Sequence, residues 1–506
     1  MAQVRDQWTT RAGFILVAMG SAIGLGNIWR YPYTVYDNGG GAFLIPYFVA
    51  LLTAGIPLLL LEYSLGHRYK GSAPLSYRRL SQKWEWLGWW QVFMSFFIVT
   101  YYIIIIGWAL SFAYYSIGTQ WGDDTNAFFF GSYLGVSDSF WNFGGLQWKV
   151  LLPVLLIWGF VYFVMRQKAH KGIERLNRIL LPILIVMLVI ITIRGITLEG
   201  ATDGLNVLLT PDFSALLDHN VWIAAYGQVF FSLSVGFATM ITYASYLAKD
   251  TDLSNSGFIA ALSNAGFEFL AALGVFGALG YLALTTGNDI QEVVSSGIGL
   301  AFVVFPQIIN TFPGFNDFFG LLFFGSLTFA GLTSAVSLLE PGVSALRDKF
   351  DLGRTKAVNI VCGVAAVVSI LYTFGGGIRF LDVVDNFLNS YGLLFGALAM
   401  ITAVAWTTNQ LDNMQSHINN VSDVYIGAWW KICVKYVTPV MLLFMLVQNL
   451  MQNFMLDYEG YPIVGNLTLG WGAFFTTLLL GIITARMKWK ANTEMLDLFR
   501  KMKEGA

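Results

Sequence analysis

The segment Gly20-Ser21-Ala22-Ile23-Gly24-Leu25-Gly26-Asn27-Ile28-Trp29-Arg30-Tyr31-Pro32 sets three glycines, an asparagine and an arginine inside a run otherwise apolar enough to cross a membrane. A glycine in a helix interior costs about 1 kcal/mol relative to alanine, so Gly24 and Gly26, two apart, favour a break. Unwound backbone survives in hydrocarbon only where it is buried in protein or lines a cavity. A break beside Asn27 offers carbonyl oxygens to a cation and free N–H groups to an anion. The alternative is a packing role, since Gly20 and Gly24 lie four apart as in small-xxx-small helix contacts.

A second interruption lies in Phe230-Phe231-Ser232-Leu233-Ser234-Val235-Gly236-Phe237, where two hydroxyls and a glycine break an aromatic helix. Glu268 follows Asn264 by four residues and shares its helical face in mid-span; a buried carboxylate there is costly unless paired or protonated. Arg30 and Asp385 fall near the outer ends of their spans, where ionisable residues are functional by default. Glu62, also in apolar surroundings, is expected to serve only as a structural hydrogen-bonding group.

These residues need a scaffold, and composition defines it. The chain has 506 residues, 56% hydrophobic and 12% charged. A water-facing surface needs about twice that charge, so the protein is polytopic in a lipid bilayer. A net charge of −1 excludes a nucleic-acid partner as the reading. Cys362 and Cys433 lie in apolar spans, the histidines lack metal-ligand spacing, and no GxxxxGK[ST] loop suggests nucleotide-driven transport. Hydropathy gives twelve spans, starting near Ala12, Ala42, Leu87, Val150, Leu176, Val221, Gly257, Asp317, Ala357, Phe380, Trp429 and Leu469. Of 29 lysines and arginines, all but Arg30, Lys149, Arg194 and Arg379 fall on one side of this arrangement. That side includes the tail residues Arg500, Lys501 and Lys503. The positive-inside rule then makes both termini cytoplasmic, in a multi-pass protein of the cell membrane. The loop from about Thr286 to Asn316 becomes extracellular and long enough to act as a lid. Breaks in spans one and six fit two inverted repeats, about 12–195 and 221–406, within a transporter core 1–406, followed by two C-terminal helices and a tail in 407–506.

Taken in series, the first segment, Asn38-Gly39-Gly40-Gly41-Ala42-Phe43, Tyr101-Tyr102, Ile241-Thr242-Tyr243-Ala244-Ser245-Tyr246 and Ala330-Gly331-Leu332-Thr333-Ser334 resemble the neurotransmitter:sodium symporter family. The likeness is greatest to its bacterial amino-acid members such as the leucine transporter, the system that illustrates broken-helix binding in general accounts. The resemblance implies an all-α fold of 12 transmembrane helices with a 5+5 inverted repeat, and sodium-coupled symport by alternating access rather than an enzyme. It implies two Na⁺ ions. The first would be held by Ala22, Asn27, Ser232 and Asn264 with the substrate carboxylate, serine standing at 232 where the bacterial relatives have threonine. The second would be held by Gly20, Ile23, Ala330, Thr333 and Ser334, unless the two hydroxyls only bond to their own helix.

The substrate carboxylate would meet Leu25, Gly26 and Tyr102; the amino group would meet Ala22, Phe231, Ser232 and Ser234. Ile98, Phe231, Phe237, Ser334 and Leu338 would line its side-chain pocket. Monoamine members of the family have aspartate where Gly24 stands, so glycine implies a substrate with its own carboxylate. Arg30 and Asp385 would close the outer gate over Tyr102 and Phe231, and Arg5 and Asp348, with Trp8 and Tyr246, the inner one. Chloride-dependent relatives have serine where Glu268 falls, which implies a chloride-independent carrier and adds proton release or antiport on the return step. The expected substrate is a neutral, small to medium aliphatic amino acid, carried by a monomer or weak homodimer. Glycine, a betaine or a γ-amino acid, or a non-transporting sensor on the same fold, are the other readings.

Overall fold

A computed structural model describes residues 5–455 and 458–490; Arg500, Lys501 and Lys503 of the expected tail lie outside the described residues. The protein is all-α. Helix α1 (Arg11–Ala22) starts where the Thr10 hydroxyl accepts the Gly13 N–H at 3.0 Å. It stops at Ala22 because Ile23 turns extended, and the chain resumes as α2 (Leu25–Asp37), bent by 59° from α1. These two form the first expected span. Next come α3 (Gly41–Tyr69), the short α4 (Ala73–Leu80), α5 (Gln82–Tyr115), α6 (Trp148–Arg166), α7 (His170–Ile196) and α8 (Ala201–Leu209).

The sixth expected span is also two helices, α9 (His219–Ser232) and α10 (Thr239–Ala244). In the six-residue linker, Ser234, Gly236 and Ala238 take φ values of +53°, +89° and +61°, the left-handed region that ends a helix. The chain continues through α11 (Leu253–Thr286), α12 (Gly297–Thr311), α13 (Asn316–Phe350), α14 (Arg354–Thr373), α15 (Gly377–Thr407), α16 (Leu411–Val421), α17 (Ala428–Gln452) and α18 (Ile463–Arg486). Among the described residues ten helices are individually long and apolar enough to span a bilayer, and the bent α1–α2 pair makes eleven. The α9–α10 pair, with its longer break, stands where the sixth span was expected and is not counted among these eleven. Sequence hydropathy did not signal α4, α8, α12 or α16, which are short and lie in loops; α12 occupies the loop expected to act as a lid.

Burial sorts the bundle. Helices α5, α11 and α13 are covered over most of their length and surround the two broken pairs, whereas α7, α14 and α18 expose most of theirs. The exposed face of α7 carries Ile183, Val186, Ile190 and Ile193, side chains suited to lipid tails. Close backbone contact fixes α7 and α8 against α11. A Cβ on Gly195 would fall 2.4 Å from the Gly274 carbonyl oxygen, one on Gly277 would fall 2.7 Å from the Gly195 oxygen, and one on Gly204 would fall 1.9 Å from the Phe276 oxygen. Van der Waals packing of small residues is what holds membrane helices together. Gly204→Val is therefore expected to cost about 1–3 kcal/mol of overpacking, read as a lower melting temperature of the detergent-solubilised protein. An unchanged melting temperature would show that α8 is free to move away.

Candidate functional site

The breaks in α1–α2 and α9–α10 face each other across one cavity. Its wall contains Ala22, Gly24, Leu25, Gly26, Ile98, Tyr102, Phe231, Ser232, Ser234, Phe237, Ser334 and Leu338, every residue expected to touch the substrate. It also contains Ser21, Asn27, Tyr101, Asp385 and Asn389. The space accommodates the centres of water-sized groups over about 60 Å³. Helix α2 begins at Leu25, so its first N–H groups have no partner within the helix. The Leu25 N–H points instead to the Tyr102 hydroxyl at 3.3 Å. Across the cavity the Ser234 hydroxyl donates to the Ser21 carbonyl at 2.9 Å, which leaves its oxygen free to accept. Gly26 is required by contact: a Cβ there would lie 2.5 Å from Phe231 Cε1.

Two oxygen-rich clusters flank the cavity. In the first, the Asn27 amide donates to Asn264 Oδ1 at 2.9 Å, and the Asn264 amide donates to Ser232 Oγ at 2.5 Å. Asn27 Oδ1 in turn accepts the Gly24 N–H at 2.8 Å, so one side chain satisfies the opened backbone. All three side chains are buried. In the second cluster, Ser334 Oγ lies 3.4 Å from the carbonyl oxygens of Gly20 and Ser21 and 3.3 Å from that of Ile23. Thr333 Oγ1 is 2.9 Å from the Ala330 carbonyl and 3.2 Å from that of Phe329. Thr333 thus bonds within its own helix while Ser334 reaches across to α1. Hydroxyl and carbonyl oxygens without sulfur or imidazole are the donor set of a hard cation.

Glu268 sits beneath the first cluster, fully buried. Its carboxylate accepts from the Tyr47 hydroxyl at 2.5 Å, the Gln228 amide at 2.7 Å and the Asn27 amide at 3.2 Å. The three donors come from α3, α9 and α2.

The two ends of the pathway differ. On the side of the amino terminus, Arg5 Nη1 contacts both Asp348 oxygens, at 3.0 and 3.1 Å, and the same guanidinium donates to Ser245 Oγ at 2.8 and 3.0 Å. Trp8 is buried beside it, its N–H on the Tyr246 carbonyl at 3.1 Å and its indole on the Tyr243 carbonyl at 2.8 Å. At the opposite end the expected partners do not meet: among the described residues Arg30 makes no ion pair with Asp385. The Arg30 guanidinium lies over the Phe231 ring, 4.9 Å from its centroid, and Asp385 accepts from the Asn389 amide at 2.8 Å. Among the described residues, the Arg5–Asp348 pair is formed and an Arg30–Asp385 pair is not.

Several residues of this machinery escaped the sequence reading. The Tyr246 hydroxyl donates to Glu340 at 2.8 Å, Arg354 grips both Glu340 oxygens at 2.8 Å, and Asp6 binds Arg347 at 2.5 Å and Arg354 at 3.1 Å. Glu340 carried a signal, a carboxylate within an apolar helix. Gln228 carried another, four residues before Ser232 and so on its face.

Comparison with known proteins agrees with this architecture. The model of the Sodium:neurotransmitter symporter family matches residues 5–127 and 119–492. An uncharacterized sodium-dependent transporter of Methanocaldococcus jannaschii is 42% identical over 460 residues, covering 90% of this chain and 93% of its own. The sodium-dependent serotonin transporter of Drosophila melanogaster is 30% identical over 516 residues, 94% of this chain and 82% of its own. The human sodium- and chloride-dependent GABA transporter 2 is 30% identical over 516 residues, 92% of this chain and 84% of its own. A match over nearly the whole length, on an all-α fold with two broken helices, makes this chain a member of the sodium:neurotransmitter symporter family, membrane transporters rather than enzymes.

Proposed function

We propose that the protein is a sodium-coupled, chloride-independent symporter of a neutral, small to medium aliphatic amino acid, working by alternating access in the cell membrane with both termini cytoplasmic. Gly24 carries the substrate class. It puts no side chain into a cavity where the Leu25 N–H and the Tyr102 hydroxyl lie 3.3 Å apart. A ligand that brings its own carboxylate is served there, and an amine without one is not. Ser234 and the carbonyls of Ala22, Phe231 and Ser232 take the ammonium. Ile98, Phe231, Phe237, Ser334 and Leu338 take the side chain, and none of these five carries a charge. At about 10–15 Å³ per water-sized group, a 60 Å³ space suits glycine or alanine better than a bulky residue.

In this reading one sodium ion binds Ala22, Asn27, Ser232 and Asn264 and shares the substrate carboxylate. Each ligand then strengthens the other's binding. The second ion binds Gly20, Ile23, Ala330, Thr333 and Ser334. Two charges crossing 100 mV with a zwitterion supply about 4.6 kcal/mol, roughly a few-thousandfold accumulation before any sodium gradient is counted. Arg30 and Asp385 close the outer gate in the occluded state; Arg5, Asp348, Trp8 and Tyr246 form the inner one. Glu268 supplies the negative charge that chloride provides elsewhere, and a proton is released or exchanged on the return step. The inverted repeats 12–195 and 221–406 rock about the site, and 407–506 adds the last two helices.

Uptake of a labelled neutral amino-acid panel into proteoliposomes tests the proposal. Uptake is expected to need an inward sodium gradient, to fail in potassium and to ignore replacement of chloride by gluconate. Binding without accumulation would make the protein a sensor. Glu268→Ser is expected to render uptake chloride-dependent, and uptake by that variant that still ignores chloride would refute the role of Glu268. A Cβ on Gly24 would lie 3.1 Å from the Tyr102 hydroxyl and 3.2 Å from Ser334 Oγ. Gly24→Ala is therefore expected to weaken sodium-dependent substrate binding about tenfold, about 1.4 kcal/mol; unchanged affinity would place the carboxylate elsewhere.

A further inference from the structure

Glu62 lies in α3, two turns before its end at Tyr69, and is wholly buried. Oε1 accepts the Gly236 N–H of the α9–α10 linker at 2.7 Å. Oε2 has no hydrogen-bond partner among the described residues. Nor do three neighbouring groups that are equally buried, the hydroxyls of Tyr63 and Tyr77 and the Gln91 amide. Tyr77, from α4, lies against the Gln91 amide of α5, and both tyrosines feel the Glu62 carboxyl. Tyr63, on α3 itself, and Tyr77 are the ionisable groups among the described residues that face Glu62; no arginine, lysine, histidine or second carboxylate does, and no salt bridge reaches it. Glu268 offers the contrast inside the same molecule, with three donors on its carboxylate. A buried carboxyl with one donor and no counter-charge is favoured in its neutral form, because the anion would be desolvated without compensation.

We propose that Glu62 is a proton-binding site, with the proton on Oε2 while the Arg5–Asp348 latch is closed and released to the cytoplasm when that latch opens. The coupling is visible in the contacts. Asp348 Oδ2, which holds Arg5 at 3.1 Å, also accepts the Ser72 N–H at 2.8 Å. Ser72 is the residue that begins α4, the helix that carries Tyr77. Opening the latch frees the start of α4, parts Tyr77 from Gln91 and admits water between them. The Glu62 O–H bond then breaks, the electron pair stays on the carboxylate, and the proton passes to that water. Hydration replaces the low-dielectric surroundings that favoured the acid. Because Gly236 belongs to the linker that carries Ser234 and follows Ser232, the protonation state bears on the substrate cavity itself.

Infrared difference spectroscopy on the full-length protein near neutral pH tests the assignment without requiring transport. Wild type is expected to show the C=O stretch of a protonated carboxylic acid, absent in Glu62→Gln and present in Glu268→Gln. A band that survives Glu62→Gln, or no band in wild type, overturns the proposal. If Glu62→Gln does not fold, Tyr77→Phe replaces it: the band is expected to shift when that neighbour is removed, and an unshifted band overturns the proposal. The timing of release rests on the transport reading. Sodium-dependent amino-acid binding and substrate-coupled acidification are therefore measured on the same samples. Loss of binding in wild type would sink the transport reading alone, whereas coupled proton movement that persists in Glu62→Gln would sink the release step.

Discussion

Every backbone N–H and C=O in the hydrocarbon layer needs a partner inside the protein, and two helices here leave theirs open in the middle. The rest of the structure is arranged around that deficit. Asn27 folds back onto the Gly24 N–H, Ser334 reaches from α13 to the carbonyls of Gly20, Ser21 and Ile23, and Ser234 donates to Ser21. From the scaffold, Glu62 accepts the Gly236 N–H and Ser95 donates to the Phe237 carbonyl. These side chains supply the opened backbone with partners from within the protein.

The ends of the pathway use charge in opposite ways. Near the amino terminus, Arg5 and Asp348 are partly buried and tied further by Ser245 and Ser72, with Asp6, Arg347, Arg354 and Glu340 forming a second network beside them. Breaking a buried pair strands two charges, so this network is costly to take apart piecemeal. At the far end Arg30 rests on the face of Phe231. A guanidinium over an aromatic ring is held weakly when exposed to water, so Arg30 is less firmly fixed than Arg5.

Glu268 links these two themes. Its donors come from a scaffold helix and from both broken helices, through Tyr47, Asn27 and Gln228. A single carboxylate therefore ties both broken helices to α3, directly beneath the first oxygen-rich cluster.

The membrane class, the all-α character and the two breaks were legible in the chain because hydropathy and glycine content act locally. The twelve residues that the motifs singled out for a substrate all meet at one cavity. Contacts between helices were not. That Asp6 pairs with Arg347 and Arg354, that Ser334 leaves its own helix for α1 while Thr333 does not, and that Glu62 keeps one oxygen unpartnered all depend on how helices separated by tens to hundreds of residues pack. Arg30 and Asp385 mark the boundary most clearly: their places along the spans could be read from the chain, but that they stand apart could be read only from the packing of the helices. The physical reason is that side-chain chemistry is written residue by residue, whereas the few ångströms that make or break an ion pair are set by the packing of whole helices.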